Sequence, residues 1–446
     1  MLKKTCYIFS ALGLVLSVSC ATPPGPDIRA AAGLANAVQF RAESLPTDAP
    51  PVGNALDLPA AIERAVRQSP TLQAALAEVR AAQADARQSR LLPNPVLSVV
   101  FRYPDGGGSP VTETGLTADL LTVLQTPRRI RAADNRLRAA SARAVAAALD
   151  VIADTEKSYH TANALRQEMV LLEQGAGHID RLLQIARHRL DAGEGTRLDV
   201  ATLEARRAET RIDLQERRLK LTQEQLALAR LLGQPSGDTD WQQTTSLPVA
   251  APVRSEADWL AAALRKRPEI QADRWQLAAL EDRRALARLA FLEGSAAGLD
   301  AERDGDWSLG PSLAVPLPLF DWGQARRAKA HASAIAARHR LTQTVRQTVQ
   351  EVRQAHAAQA RLAAATTQAR EQLTPLQQQR VDLARAVYES GQSGITPLLL
   401  AELDLQKAQL RAVQLELRAA VAAIELRRAS GGAAAIFKTK TTTQKQ

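Results

Sequence analysis

Aromatic residues make up only 3% of this 446-residue chain. A core that thin in aromatics does not suit an ordinary enzyme with a thick mixed interior. Methionine is scarcer still, with Met169 alone beyond the first residue. A methionine relay for soft metals is therefore unavailable. The six histidines, His160, His178, His188, His331, His339 and His356, include no pair at the helical i, i+4 spacing of a zinc site, and no cysteine joins them. Gly106-Gly107-Gly108 is not followed by the Lys-Ser/Thr that opens a phosphate-binding helix. No catalytic constellation is present, so the chain reads as a non-enzyme that needs no cofactor. The formal charge is +10, yet no basic block with interleaved aromatics occurs, which speaks against nucleic acid as a partner. After the first residues there is no uninterrupted apolar run of about 20, the length a transmembrane helix needs.

Cysteine is nearly absent too, and its two positions are informative. Cys6 lies in an N-terminal stretch where Lys3 and Lys4 precede a short apolar run, the pattern of a secretion signal over 1–20. Cys20 closes Leu16-Ser17-Val18-Ser19-Cys20, which resembles a bacterial lipoprotein cleavage box and marks Cys20 for lipidation. Cleavage after Ala21 would instead discard both cysteines. Neither route leaves an intrachain disulfide.

What the chain has in abundance is Ala and Leu, both strong helix formers. It also has an internal repeat. Ser69-Pro70-Thr71-Leu72-Gln73-Ala74 matches Arg267-Pro268-Glu269-Ile270-Gln271-Ala272, Arg128-Arg129 matches Arg326-Arg327, Gly193 matches Gly391, and Glu204 matches Glu402. One offset serves all four matches, so the chain is a duplication. The units run from 55 to 233 and from 256 to 430. An N-terminal extension (21–54), a linker (234–255) and a disordered tail (431–446) complete the chain.

Each unit predicts the same order of elements. A helix (58–92; 256–292) leads to segments with strand character. A very long helix follows (128–190; 323–388), then a glycine-marked reversal (192–196; 390–394) and a return helix (198–232; 398–428). Pro375 is expected to kink the second long helix. In the first return helix Leu198, Ala205, Ile212, Leu219 and Leu226 recur every seven residues, and Leu214, Leu221 and Leu228 form a second series about 200° away. The second return helix repeats this with Leu403, Leu410, Leu417 and Ile424 against Leu405, Ala412, Ala419 and Leu426. A helix with two opposed apolar stripes has neighbours on both sides, as in a wall of helices, and the seven-residue period gives the wall a left-handed twist. A buried helix in a larger bundle is the competing reading.

Between the helices, polar and apolar residues alternate. Leu97, Val99, Phe101 and Tyr103 share one side, and Leu116, Ala118, Leu120 and Leu124 alternate with Thr117, Asp119 and Gln125. Leu299 and Ala301, then Trp307, Leu309, Leu313, Val315, Leu317 and Leu319, continue the pattern in the second unit. Four strands in two hairpins are predicted. One apolar and one polar face suit a membrane β-barrel, the only form in which strands cross lipid with their backbones paired. Four strands cannot close a useful barrel, so several chains must pool them. Two soluble hairpins are the alternative.

The doubled unit, Ala60-Ala61-Ile62-Glu63-Arg64-Ala65-Val66 before Ser69-Pro70, Leu92-Pro93-Asn94-Pro95 before the first strand, and the tips at 189–199 and 388–394 together resemble the TolC-like outer-membrane efflux family over residues 55–430. The Leu-Pro-Asn-Pro segment and the lipobox-like Cys20 look most like its metal-efflux branch, the CzcC- and CusC-like channels. The resemblance implies a mostly α fold with membrane β. Three chains would form a homotrimer, pooling their strands into a twelve-stranded barrel and their helices into a long periplasmic tunnel. The implied place is the outer membrane of a Gram-negative bacterium, among its lipids, with an extension into the periplasm. The implied partners are a periplasmic adaptor (a membrane fusion protein) and an inner-membrane RND-type pump. The implied function is a passive exit duct for metal ions or small toxic molecules. A drug-efflux or type I protein-secretion duct of the same fold, or an exported coiled-coil scaffold, are the alternatives. By the same resemblance the adaptor docks on the tips, at Gly193, Glu194, Gly195, Thr196, Arg197 and Leu198, and at Gly391, Gln392, Ser393, Gly394, Ile395 and Thr396. Asp199 stands where some members of the family carry a gating acid, but Pro397 occupies the matching place in the second unit. Asp199 therefore reads either as one acid of a single ring of three or as a helix-start acid favoured by the dipole.

Overall fold

A computed structural model describes residues 40–432 except 54, 104, 108–109, 245–253 and 305. The predicted signal with Cys20, the first part of the N-terminal extension, the second half of the linker up to 253 and the tail from 433 lie outside the described residues.

The first unit opens with a short strand β1 (Ala55–Leu56), then α1 (Leu58–Gln68) and α2 (Pro70–Gln88). Sequence periodicity alone suggests one helix here; the structure has two. Pro70 pushes the residue before it out of the α region, and Ser69 sits at φ −73° and ψ 113°. The break is not left open, because the Ser69 hydroxyl accepts from Leu72 N at 3.2 Å and caps α2. The second unit breaks identically between α5 (Glu256–Lys266) and α6 (Pro268–Leu286), where Arg267 precedes Pro268. A 3₁₀ segment (Ala287–Leu292) then carries the chain onward.

Two strands follow in the first unit, β2 (Val96–Arg102) and β3 (Val111–Asp119). The third helix, α3 (Leu120–Asp191), begins eight residues before the predicted 128. The apparent alternation at Leu120 and Leu124 is therefore the first turns of a helix. Asp119 switches the backbone by capping it, accepting from Thr122 N at 2.8 Å and Thr122 Oγ1 at 2.7 Å. With 72 residues, α3 is a rod about 110 Å long. The return helix α4 (Arg197–Leu231) packs against it, and a short strand β4 (Gln242–Gln243) pairs with β1 in parallel. That pair closes over the Tyr159 hydroxyl, which lies 2.9 Å from Leu56 O and 2.7 Å from Thr244 O. The described part of the inter-unit segment is thus packed structure, with Trp241 and Gln234 buried.

In the second unit β5 (Ala296–Asp304) and β6 (Asp306–Ala314) precede α7 (Gln324–Gln368), α8 (Thr374–Glu389) and α9 (Ile395–Ala429). The predicted β6 alternation at Val315, Leu317 and Leu319 continues past the strand into extended chain. The predicted kink at Pro375 takes the form of a π turn (Ala369–Leu373) directly before it. The extra residue relieves the clash between the proline ring and the preceding turn. Thr374 Oγ1 donates to the Ala369 carbonyl at 2.9 Å.

Seen along the chain, the helices form a wall. In its lower half the order is α4, α3, α9, α8; in its upper half it is α2, α3, α6, α7. The four long strands form one antiparallel sheet at the far end, in the order β2-β3-β5-β6, so the two predicted hairpins are joined through β3 and β5. An ion network ties the two units at mid-height. Arg428 Nε donates to Asp150 at 2.7 Å and Arg428 also bonds Glu269, while Arg427 bonds Glu156 at 2.8 Å. Burial pushes the Glu156 carboxyl up and the neighbouring His160 imidazole down, with Arg427 opposing the first and adding to the second.

Candidate functional site

The sheet register sorts every strand residue onto one of two faces. Leu97, Leu116, Leu299 and Pro311 lie in one cross-strand row, and Val99, Thr114, Ala301 and Leu309 in another on the same face. Phe101, Thr112, Arg303 and Trp307 form a third row towards the hairpin ends. On the opposite face Ser98, Gly115, Asp300 and Gly310 align, beside the row Val100, Glu113, Glu302 and Ser308. A Cβ at Gly115 would lie 2.6 Å from both Asp300 Oδ1 and Ser98 Oγ, so a larger residue there would displace those two side chains. Glu113 and Glu302 are directly opposed across two strands, an unfavourable pairing relieved on one side by Arg102, whose guanidinium reaches Glu113 at 3.0 Å.

Among the described residues nothing packs against the apolar face. Leu97 is 68% exposed and Leu309 is 64% exposed. Strands of seven to nine residues run about 23–30 Å at ~3.3 Å per residue, close to the height of a barrel's apolar band. Aromatics, so scarce overall, collect at its two ends. Phe101, Tyr103 and Trp307 stand at the hairpin end, and Phe320 and Trp322 stand where the chain returns to helix, all exposed. Amphipathic rings at both edges of an apolar band are what a bilayer's two interfaces select. No described helix is long and apolar enough to cross a membrane.

The two stripes of α4 have different fates. Leu214, Leu221 and Leu228 are buried against α3, whereas Leu198, Ile212, Leu219 and Leu226 are exposed. At the other edge of the wall, α8 exposes Leu376, Leu383 and Val387. The stripes of α9 are both at least partly covered, because α9 lies inside the wall between α3 and α8. The sequence shows two stripes on each return helix; their unequal burial identifies α4 and α8 as the open edges.

The tips close the end opposite the sheet. Gly193 and Gly391 adopt φ +78° and +73°, the left-handed region that glycine enters without strain. Each donates its N–H back to the ended helix, Gly193 to Leu190 O and Gly391 to Tyr388 O, both at 3.0 Å. Glu194, Gly195 and Thr196 complete the first reversal, and Arg197 and Leu198 open α4. Gln392, Ser393 and Gly394 complete the second, and Ile395 and Thr396 open α9. Asp199 takes part in a capping box: Thr196 N donates to its carboxylate at 3.4 Å and Asp199 N donates to Thr196 Oγ1 at 3.1 Å, while Thr196 Oγ1 also donates to the carboxylate at 2.7 Å. Its carboxylate is thus engaged in starting α4. The second tip has Gly394 at the corresponding point, with no side-chain cap. Ile395 is buried with Leu398 and Leu399 in a cluster that includes Leu182, Leu183 and Leu203, so the base of one tip is packed into the other.

Two contacts at this end were not readable from the sequence. The Arg189 guanidinium lies 5.5 Å from the Tyr388 ring, tying the long helices of the two hairpins just above their turns. Higher up, Gln406 of α9 occupies the space where Gly175 of α3 lacks a side chain, and its Nε2 donates to Leu171 O at 3.3 Å. Both contacts join residues more than 190 positions apart, and no periodicity signals them. Among the described residues no group of three or more His, Cys, Asp or Glu is arranged to hold a metal ion.

The family model for outer membrane efflux proteins matches twice, over residues 61–234 and 259–432. A curated relative, the fusaric acid resistance protein FusA of Burkholderia cepacia, is 31% identical over 163 residues, which is 32% of this chain and 30% of that protein's length. The outer membrane protein VceC of Vibrio cholerae superposes with a TM-score of 0.69 at 22% identity, covering 84% of this chain and 96% of VceC. CusC superposes with a TM-score of 0.69 at 20% identity, covering 88% of this chain and 99% of that one. The structural likenesses establish the fold, and the doubled family match covers most of the chain. This protein is a duplicated member of the outer membrane efflux protein family, a TolC-like channel fold and not an enzyme.

Proposed function

We propose that three copies of this chain form one passive duct that carries small toxic solutes across the periplasm and the outer membrane. The observation that carries this reading is the two-faced sheet. Its apolar face finds no cover among the described residues, and an exposed apolar patch of that height fits lipid. Closing the sheet into a barrel removes its open edges at β2 and β6, and needs further copies. The helical wall supports the same count of neighbours. Its open edges, α4 and α8, are different surfaces, so contact between copies is head-to-tail and closes into a ring. The exposed stripe of Leu198, Ile212, Leu219 and Leu226 then packs on the next copy's α8. A coiled-coil scaffold without a channel would leave the apolar sheet face unexplained.

The duct itself supplies no energy, so a periplasmic adaptor on the tips and an inner-membrane pump of the RND type complete the system. The tip residues from Gly193 to Leu198 and from Gly391 to Thr396 are the proposed docking surface. Two kinds of tip alternate around the ring, one with a capping box and one without. Metal ions and small organic molecules are the proposed substrates. The segment similar to FusA favours aromatic acids as a second class beside metals. Cells lacking this chain are expected to lose tolerance to metal salts or to fusaric acid, and the wild-type gene to restore it. Unchanged tolerance to both, together with loss of a secreted protein, would assign the duct to protein export.

The polar face of the sheet lines the barrel in this arrangement. Arg102 pairs with Glu113, leaving Asp300 and Glu302, with Asp304 and Asp306 at the hairpin end, as excess negative charge facing the water column. Charge of one sign in a narrow passage concentrates counter-ions roughly tenfold. Wild-type channels in a salt gradient should therefore show a cation-selective reversal potential. Asp300→Asn with Glu302→Gln should move it towards zero without changing assembly. An unaltered potential would place selectivity elsewhere in the duct.

A further inference from the structure

Charge is unevenly distributed where the sheet meets the helices. Three segments share that layer: 119–131, 283–293 and 321–331. Their alignment is fixed by contacts. Arg131 approaches Asp282 at 3.7 Å, Leu120 N donates to Ser295 O at 3.0 Å, Arg326 bridges Glu293 and Asp321, and Gly323 backs onto Ala290. At 1.5 Å per residue the layer is about 15 Å deep. It contains nine Lys or Arg against three carboxylates, and Glu281 and Asp282 at its border engage two of those arginines, Arg284 and Arg131. All three carboxylates are already engaged, Asp119 in capping α3 and the other two with Arg326. Arg128, Arg288, Arg327 and Lys329 are exposed and form no ion pair among the described residues. The Arg128-Arg129 and Arg326-Arg327 pairs occupy the same place in the two units, so a trimer repeats the feature six times around its girth.

The position of this layer says what its counter-charge is. Leu124, Leu289 and Trp322 within it and Leu319 and Phe320 directly beside it are exposed apolar or aromatic residues, with Phe320 92% exposed. Arg128 stands one turn below Leu124 on the same face of α3, so that face is apolar above and cationic below. Cations crowded this closely repel one another unless anions sit between them. We propose that this layer binds the phosphates of anionic phospholipid in the periplasm-facing leaflet of the outer membrane. Guanidinium groups match phosphate oxygens bidentately, and ammonium and guanidinium groups at a bilayer edge attract anionic headgroups. The proposal rests on the reading of the sheet as bilayer-spanning. Its consequence is that the channel's height in the membrane is set by headgroup charge as well as by the apolar band.

The test uses the full-length assembly in nanodiscs of phosphatidylcholine mixed with phosphatidylglycerol. Lipid retained on the protein is measured by native mass spectrometry, and conductance is recorded from the same preparation. The wild type is expected to retain phosphatidylglycerol roughly tenfold over phosphatidylcholine, with the preference falling as salt is raised. The variant R128Q/R288Q/R327Q/K329Q is expected to lose that preference while its conductance step and reversal potential stay as in the wild type. A wild type without preference overturns the proposal whether or not the variant assembles. So does a variant that keeps the preference. A reversal potential that shifts in the variant with lipid retention unchanged would turn these cations to the lumen, against the proposal. Inorganic phosphate that raises Tm as much as phosphatidylglycerol would mark a free-anion site, also against it. A wild type with no conductance in any lipid would remove the bilayer reading itself, a different failure from loss of lipid preference in a working channel.

Discussion

Leu309→Arg will abolish the outer-membrane form of this protein, and Ser308→Arg will not. The two residues are neighbours on β6, and the register turns them to opposite faces. Leu309 shares its face with Val99 and Leu299, where a charge would sit in hydrocarbon. An arginine at mid-depth on the lipid face of a barrel costs about 2–4 kcal/mol, and a three-fold assembly incurs it three times. The total, roughly 6–12 kcal/mol, is comparable to the whole stability of an ordinary folded domain. Ser308 faces the polar side beside Glu302 and is exposed, so an arginine there gains a carboxylate and remains in water. The readout is the amount of assembled protein in purified outer membranes. Equal amounts of both variants would mean that the sheet faces neither lipid nor a common lumen.

Gly391→Pro is the second large effect. Gly391 holds φ +73° and donates its N–H to Tyr388 O. Proline fixes φ near −65° and has no N–H, so the substitution is incompatible twice over, with a cost of about 3 kcal/mol or more. The damage is expected to stay near the last turn, because the cluster of Ile395, Leu398, Leu399 and Leu203 beside it is also held by Leu182, Leu183 and Ala186 of α3. Assembly and membrane insertion are therefore expected to persist while efflux falls to the level of the deletion strain. Gly193→Pro should act in the same way at the other tip. Full efflux in either variant, with the altered turn confirmed, would remove the tips from the docking surface.

The duplication, the glycine reversals and the alternating strands were legible because each is a local pattern repeated at one offset. Helix ends were less legible. Leu120 and Leu124 continue the strand alternation by chance, and only the Asp119–Thr122 cap shows that the backbone has already turned helical. The break at Ser69-Pro70 was hidden for a similar reason: the apolar period resumes on the far side of the proline. Neither the exposed stripe of α4 nor the tie between Arg189 and Tyr388 could be read in advance. The heptads on α4 and α9 look alike, and only the packing order of the wall decides which is covered. The engagement of Asp199 with Thr196 was half legible, since a helix-start acid and a gate acid occupy the same position in the sequence.

Whether three chains make one channel is decided by single-channel recording in a planar bilayer, on a preparation whose mass has been established in detergent. The expected result is an assembly of three chains that inserts as a unit, with one conductance step per insertion and β structure retained. A monomeric, water-soluble chain that produces no conductance would contradict it.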